Sequence, residues 1–313
     1  MKHPDGSPVG GGDNFAPVAD SPLARELSDL TSRRKILTAE APPLPAFTRI
    51  LTVSNQKGGV GKTTTTVNLA AALAKLGARV LVIDLDPQGN ASTALGIEHH
   101  EGITGIYDVL IGDATLRDVI VASPEEGDLF CAPSNVNLAG AEIELVDAER
   151  REYILRAAIH TFLTDAPEPF HYVFIDCPPS LGLLTLNAFV AAREVLIPIQ
   201  CEYYALEGLS QLLKTIERVA ANTNPNLRVS TILLTMFDAR TRLANDVADD
   251  VRTHFPHLVL GAVIPRAVRV SEAPSFGQTV VSYDPTSLGA ISYIEAAVEI
   301  AQRGAVNAQQ GAQ

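Results

Sequence analysis

The residues with the clearest chemical pattern are Lys57-Gly58-Gly59-Val60-Gly61-Lys62-Thr63-Thr64, between an apolar run at Arg49–Ser54 and a helical pattern from Lys62 to Leu76. Glycines let a backbone turn sharply and aim its N–H groups at phosphate oxygens. A helix starting at the same place adds partial positive charge. Lys62 is spaced to reach the outer phosphates of a nucleoside triphosphate, and the Thr63 hydroxyl to ligate Mg²⁺. The chemistry implied is triphosphate binding and phosphoryl transfer to water. The common pattern for such a loop has Gly five positions before Gly61. Gln56 stands there instead, and Lys57 is an additional cation at the mouth of the loop.

Two acidic segments are spaced to serve that loop. Asp84-Leu85-Asp86-Pro87-Gln88-Gly89-Asn90 follows the next apolar run. Asp84 and Asp86 fall on one face by the period of two, and Pro87 and Gly89 force a loop. By themselves these residues fit a capping aspartate and a turn equally well. Asp176 ends the apolar run Tyr172-Val173-Phe174-Ile175-Asp176 and is followed by Cys177-Pro178-Pro179-Ser180. An apolar strand ending in Asp is the arrangement that holds Mg²⁺ in phosphate-loop enzymes.

Short apolar runs that alternate with helical stretches must position these groups. Beyond Arg49–Ser54, the runs Arg79–Leu85, Leu129–Ala132, Tyr172–Asp176, Glu194–Ile199, Val229–Thr235 and Val259–Ile264 read as buried strands. Glu207–Ala221, Arg242–His254 and Thr286–Gln302 read as helices, and Gly77 closes the helix that starts at Lys62. The pattern predicts an α/β three-layer sandwich with a mostly parallel central sheet, in which ligands sit beyond the carboxyl ends of the strands. The folded domain is expected over 49–302, with a polar tail at 303–313. Residues 1–48, with Gly10-Gly11-Gly12 and Pro42-Pro43-Leu44-Pro45, are expected to form a flexible tail. Within it, Ser21–Leu37 could form a short helix bearing Arg33, Arg34 and Lys35. A solvated tail, a docking helix for a polar scaffold protein and a DNA contact all stay open for this segment.

Composition narrows the function classes. With 313 residues the chain can bury a large core. Cys131, Cys177 and Cys201 lack CxxC spacing and read as reduced thiols of a cytoplasmic protein, not as cluster ligands. No apolar stretch approaches a membrane span. A net charge of −12 argues against a general nucleic-acid binder.

Lys57–Thr64 resembles the deviant Walker A loop of the ParA/MinD ATPases. The Asp84–Asn90 and Asp176–Ser180 segments are similar to the same family, and Thr235–Arg242 and Ile264–Ser275 are similar to its Soj-type ParA members. The resemblance spans about Arg49 to Gln302. It implies a P-loop NTPase fold that binds ATP or ADP with Mg²⁺ in a homodimer, with Lys57 reaching across to the partner's ATP. It implies that Asp86 orients the attacking water, with Lys57 and Lys62 as the other catalytic groups, and that Thr63, Asp84 and Asp176 serve the metal. Nucleotide contacts are implied for Gly58, Gly59, Val60, Gly61, Thr64 and Glu202, and for the backbone at Pro265 and Arg266. Arg240 and Arg269 match arginines that contact DNA phosphates, and a dimer aligning two sets of them could bind non-specific double-stranded DNA despite the net charge. On the residues alone, the same arginines read as solvated partners of Asp238, Asp246 and Glu272. The implied role is nucleoid-associated chromosome segregation, with a ParB-like protein stimulating hydrolysis. The alternative is a MinD-like membrane-positioning ATPase. That alternative calls for a basic amphipathic C-terminal helix, whereas Ala301–Gln313 holds one Arg and no apolar face, so no direct membrane anchor is expected.

Overall fold

The computed structural model describes Arg33 and residues 41–310 apart from Tyr204. Except for Arg33, the helix expected over Ser21–Leu37 lies outside the described residues. In chain order the elements are β1 (Arg49–Val53), α1 (Lys62–Lys75), β2 (Val80–Asp84), α2 (Asn90–Ala94), α3 (Ile106–Ile111), α4 (Leu116–Val119), β3 (Val121–Ala122), β4 (Leu129–Ala132), α5 (Leu138–Glu144) and α6 (Ile154–Asp165). There follow β5 (Tyr172–Asp176), α7 (Leu183–Ala191), β6 (Glu194–Gln200), α8 (Ala205–Asn222), β7 (Arg228–Phe237), α9 (Arg242–His254), β8 (Val259–Pro265), α10 (Val268–Glu272), α11 (Val280–Tyr283) and α12 (Leu288–Gln310).

The strands form one sheet in the order β3-β4-β2-β5-β1-β6-β7-β8. All neighbours run parallel except the short edge strand β3, which is antiparallel to β4. From β1 the chain passes to β2, places β3 and β4 at the far edge and returns to insert β5 between β2 and β1. It then crosses β1 to build β6, β7 and β8 on the other side. β1 therefore lies where the winding reverses, and the loop after it opens into the crevice that α/β sheets use for ligands. Every residue of β2 and β5 is buried, as required of strands covered on both faces. One face packs Leu51, Val82 and Phe174 on α1 and α12; the other packs Leu81, Ile83, Val173 and Ile175 on α3, α6 and α7. β6 and β7 carry a further cluster with α8 and α9.

Two features depart from the sequence-based expectation. The stretch between residues 90 and 165 folds into several helices of four to twelve residues, too short or irregular for a clear helical period. The C-terminal helix also runs to Gln310, through the segment expected as a polar tail. The reason is visible in its side chains. Arg303 bonds Glu299 and the carbonyls of His257, Leu258 and Val259, so it fastens α12 to the start of β8. Gly304 lies over the Arg49 guanidinium, where an added Cβ would come within 2.5 Å of Nη1. Gly304 is thus a close-approach position inside the helix.

Candidate active site

β1 delivers the chain to the phosphate loop through Asn55. Its amide donates to the Pro198 carbonyl at 2.8 Å, while its Oδ1 accepts from the Lys57 N–H at 3.0 Å. The loop is held from the β7 side as well, where Thr235 Oγ1 donates to the Val60 carbonyl at 2.9 Å. Gly59 and Gly61 have φ of +73° and +86°, the left-handed region that a side chain disfavours. Gly61 is the N-cap of α1 and offers no side-chain cap, and the first intrahelical bond of the helix runs from Thr65 N to Gly61 O. The N–H groups of Lys62, Thr63 and Thr64 thus lack acceptors within their own helix. They face a cavity of about 380 Å³ lined by Gly58, Gly59, Gly61, Lys62, Thr63, Thr64, Asp86, Asn90 and Met236, among others. This is a concave, N–H-rich cradle that suits a polyphosphate.

The acidic floor is made by two strands in register. β2 and β5 pair so that Asp84 lies opposite Asp176, and both side chains are fully buried. Asp176 Oδ2 accepts from Thr63 Oγ1 at 2.7 Å, and Oδ1 from Thr66 Oγ1 at 2.9 Å. Burial, with the neighbouring Asp84 charge, pushes the Asp176 carboxyl up to about 7. Asp84 is raised to about 6 by the same burial, against the N–H bonds it accepts. Burial lowers the Lys62 ammonium from its ordinary value, while Asp176 and Asp86 oppose that shift. Two buried carboxyls beside one desolvated ammonium form a site that gains from a further cation. Among the described residues, no group of three or more His, Cys, Asp or Glu side chains is arranged to hold a metal by itself. That fits Mg²⁺, which binds through one or two carboxylates and takes its remaining ligands from waters and substrate phosphates.

Not every residue singled out from sequence reaches the cavity. Asp84 spends Oδ1 on the Asp86 N–H at 3.2 Å and Oδ2 on the N–H and hydroxyl of Ser92, at 2.8 and 2.7 Å. It fastens the Asp86 loop to α2 and does not line the cavity. Asp86 does line it, with its own Oδ1 bound to the Gln88 N–H at 3.0 Å. Pro265 ends β8 and Arg266 follows it, its N–H donating to the Phe237 carbonyl, and neither is among the residues lining the cavity. Glu202 also stands outside, but its carboxylate is 2.5 Å from the Lys57 ammonium. Arg240 forks onto Asp238, at 2.9 and 2.8 Å. Arg269 contacts Glu272 at 3.0 Å and Asp284 at 3.6 Å, with its guanidinium over the Tyr283 ring. Arg242 lies 3.6 Å from Asp246.

Sequence reading passed over Asn55, Thr66, Asn90 and Met236. Thr66 was accessible: it lies three residues past Thr63, on the same helical face. Met236 was not, because its role depends on an unusual φ of +50° at the end of β7.

The loop, the paired aspartates and the crossover at β1 can be compared with known proteins. A family model described as "AAA domain" matches residues 48–229. The chain is 51% identical over 255 residues to the chromosome partitioning protein ParA of Caulobacter vibrioides, covering 82% of this chain and 94% of that one. It is 50% identical over 256 residues to the sporulation initiation inhibitor protein Soj of Bacillus subtilis, covering 82% and 99%. The chain belongs to the ParA/Soj family. Among solved structures it resembles cobyrinic acid a,c-diamide synthase from Mycobacterium smegmatis with bound ADP and magnesium, at 40% identity and TM-score 0.68, covering 80% of this chain and 93% of that one. It also resembles the septum site-determining protein MinD complexed with Mg-ADP from Pyrococcus horikoshii, at 28% identity and TM-score 0.63, covering 80% and 95%. The expected P-loop sandwich and the ParA/Soj resemblance are thereby established. Among the described residues, no helix is long and apolar enough to cross a membrane.

Proposed function

We propose that this ParA/Soj family member is a Mg²⁺-dependent ATPase for chromosome segregation. It pairs on ATP, grips DNA phosphates while paired, and lets go after hydrolysis stimulated by a ParB-like partner. The observation that carries the reading is the convergence of Lys62, Thr63 and Asp86 on one N–H-rich cavity, with the buried Asp176 bonded to Thr63 behind it and Lys57 at its mouth turned away onto Glu202. Lys62 and the α1 N-terminus bind and orient the phosphates. Mg²⁺, held through Thr63 and Asp176, neutralises phosphate charge when bound. Asp86 orients water, and Asp84 positions Asp86 through its backbone N–H. Lys57 is the one loop cation that leaves the cavity, which supports a role toward a second subunit. A chain whose own site lacks that cation should turn over slowly until paired. DNA release would follow hydrolysis because pairing depends on the outer phosphate, the group that Lys57 would meet on the second subunit's nucleotide.

The test is binding to a random-sequence duplex without nucleotide, with ADP and with ATP, for wild type and Asp86→Ala. ATP alone should promote binding, and Asp86→Ala should trap it. Equal affinity in all three nucleotide states would overturn the switch.

A further inference from the structure

The opposite end of the sheet carries a second cavity, of about 260 Å³. It lies where β1, β6 and β7 begin, roughly one five-residue strand length, about 16 Å, from the phosphate end. Its apolar lining comes from Ile50, Ile159, Leu163 and Val190, and Arg156, His160 and Arg193 stand exposed around it. No Asp or Glu lines it. Arg156 and Arg193 make no salt bridge with any described residue, although the chain carries 36 acids to 24 Lys and Arg and pairs many of its other arginines. Arg193 is held from both sides of its backbone, donating to the Ile50 carbonyl and accepting from the Arg228 N–H.

The floor tells which part of a ligand goes inside. α7 ends there, and the carbonyls of Phe189, Val190 and Ala192 would repel an anion. Asn224 covers them, its Nδ2 lying 2.8, 3.2 and 2.6 Å from the three oxygens. That capping makes the floor neutral but provides no row of N–H groups to cradle a phosphate. An apolar body therefore belongs in the centre and negative charge at the rim. We propose that this cavity is a docking site for an acidic peptide segment of a partner protein, which inserts one aliphatic or aromatic side chain between flanking carboxylates held by Arg156 and Arg193. Charge complementarity selects such a segment over a nucleic acid, whose phosphates would find no partner in the apolar centre. The site is separate from the nucleotide cavity and does not depend on the reading of that cavity.

The test uses the full chain and a panel of fluorescein-labelled heptapeptides, each with one Leu, Ile or Phe between Asp and Glu residues. Binding is followed by anisotropy at low salt. At least one peptide should bind in the micromolar to sub-millimolar range and weaken about tenfold or more in Arg156→Glu/Arg193→Glu. Its Asn/Gln counterpart should bind at least about tenfold more weakly. Leu163→Asp, which puts a charge in the apolar lining, should also abolish binding. ATP turnover of both variants should stay at the wild-type level, because none of these residues touches the nucleotide cavity, and the reversed-charge variant should keep the wild-type melting temperature. Leu163→Asp, which also loses packing against the core, should melt lower but stay folded at the assay temperature. The proposal is overturned if no panel member binds, if the reversed-charge variant binds equally, or if the neutral peptides match the acidic ones.

Discussion

The Lys57 ammonium and the Glu202 carboxylate, 145 positions apart in the chain, lie 2.5 Å from each other within one subunit. Both side chains are about two-fifths exposed, at 40% and 45%. Such a pair contributes about 0–1 kcal/mol, enough to bias the lysine and too little to hold it. Lys57 is thus parked, and in the proposed pair a competing anion from the second subunit would take it. Glu202→Gln should release it and lower the protein concentration needed for ATP-dependent pairing by about two- to fivefold, as a difference of that energy implies. Lys57→Ala should abolish pairing with ATP while leaving the nucleotide-free chain monomeric. Sedimentation velocity with and without ATP separates these outcomes. If Lys57→Ala pairs as well as wild type, the lysine only anchors Glu202.

Asp176 gathers opposing demands: in the proposed reading it serves Mg²⁺, yet it is buried opposite Asp84. Removing its charge should therefore act in two directions. Asp176→Asn should bind ATP with Mg²⁺ at least about tenfold more weakly, about 1.4 kcal/mol. The same variant without nucleotide should be more stable than wild type at pH 8, by about 1–3 kcal/mol, because a buried like-charge contact is gone. Paired thermal scans, with and without Mg²⁺-ATP, read both effects. A nucleotide-free variant that melts well below wild type would show that the Thr63 and Thr66 bonds outweigh the repulsion.

These two cases show what the sequence made legible. The phosphate loop and the Asp-terminated strands were readable because strand, loop and helix follow one another locally and the chemistry needs fixed spacing. The C-terminal helix was expected to end at Gln302 but runs to Gln310, with Arg303 and Gly304 meeting β8 and Arg49, which are far away in sequence. Asp84 was read as serving the metal because the resemblance of the Asp84–Asn90 segment to the ParA family implied it. Only the packing of α2 shows its oxygens already taken by Ser92 and the Asp86 N–H. The Lys57–Glu202 contact depends on how loops after β1 and β6 meet, which no local pattern encodes.

The pair at the base of β1 gives a pH prediction. Burial alone would raise the Glu194 carboxyl, but the Arg49 guanidinium, bonded to it at 2.8 and 2.7 Å, holds it below its ordinary value. A depressed carboxyl contributes stability above its unfolded value, and that contribution is lost as pH falls through the folded one. Wild type should therefore lose stability below about pH 4.5 partly through this group. Glu194→Gln should start about 3–5 kcal/mol less stable at pH 7, since it leaves Arg49 buried and unpaired. It should also lose less on acidification. Urea melts at pH 7 and pH 4 measure the difference of differences. An equal loss in both proteins would remove Glu194 from the acid response.

The proposed DNA grip gives the sharpest prediction, because its arginines are already occupied. Arg240 is 89% exposed yet forked onto Asp238, whose carboxyl it holds down at about 2. A DNA phosphate must displace that carboxylate. Arg240→Ala should weaken ATP-dependent DNA binding, while Asp238→Asn should strengthen it by about two- to fivefold by freeing the guanidinium. Arg269 competes in the same way with Glu272 and Asp284. Losing one phosphate contact per subunit removes two from a dimer. Arg269→Ala should therefore flatten the slope of log K against log salt concentration by about 1.8. Titration of a random-sequence duplex at several salt concentrations, with ATP and Asp86→Ala as background, measures affinity and slope together. If Asp238→Asn and Arg240→Ala both weaken binding, the pair acts by shaping the loop after β7, and the phosphate contact lies elsewhere.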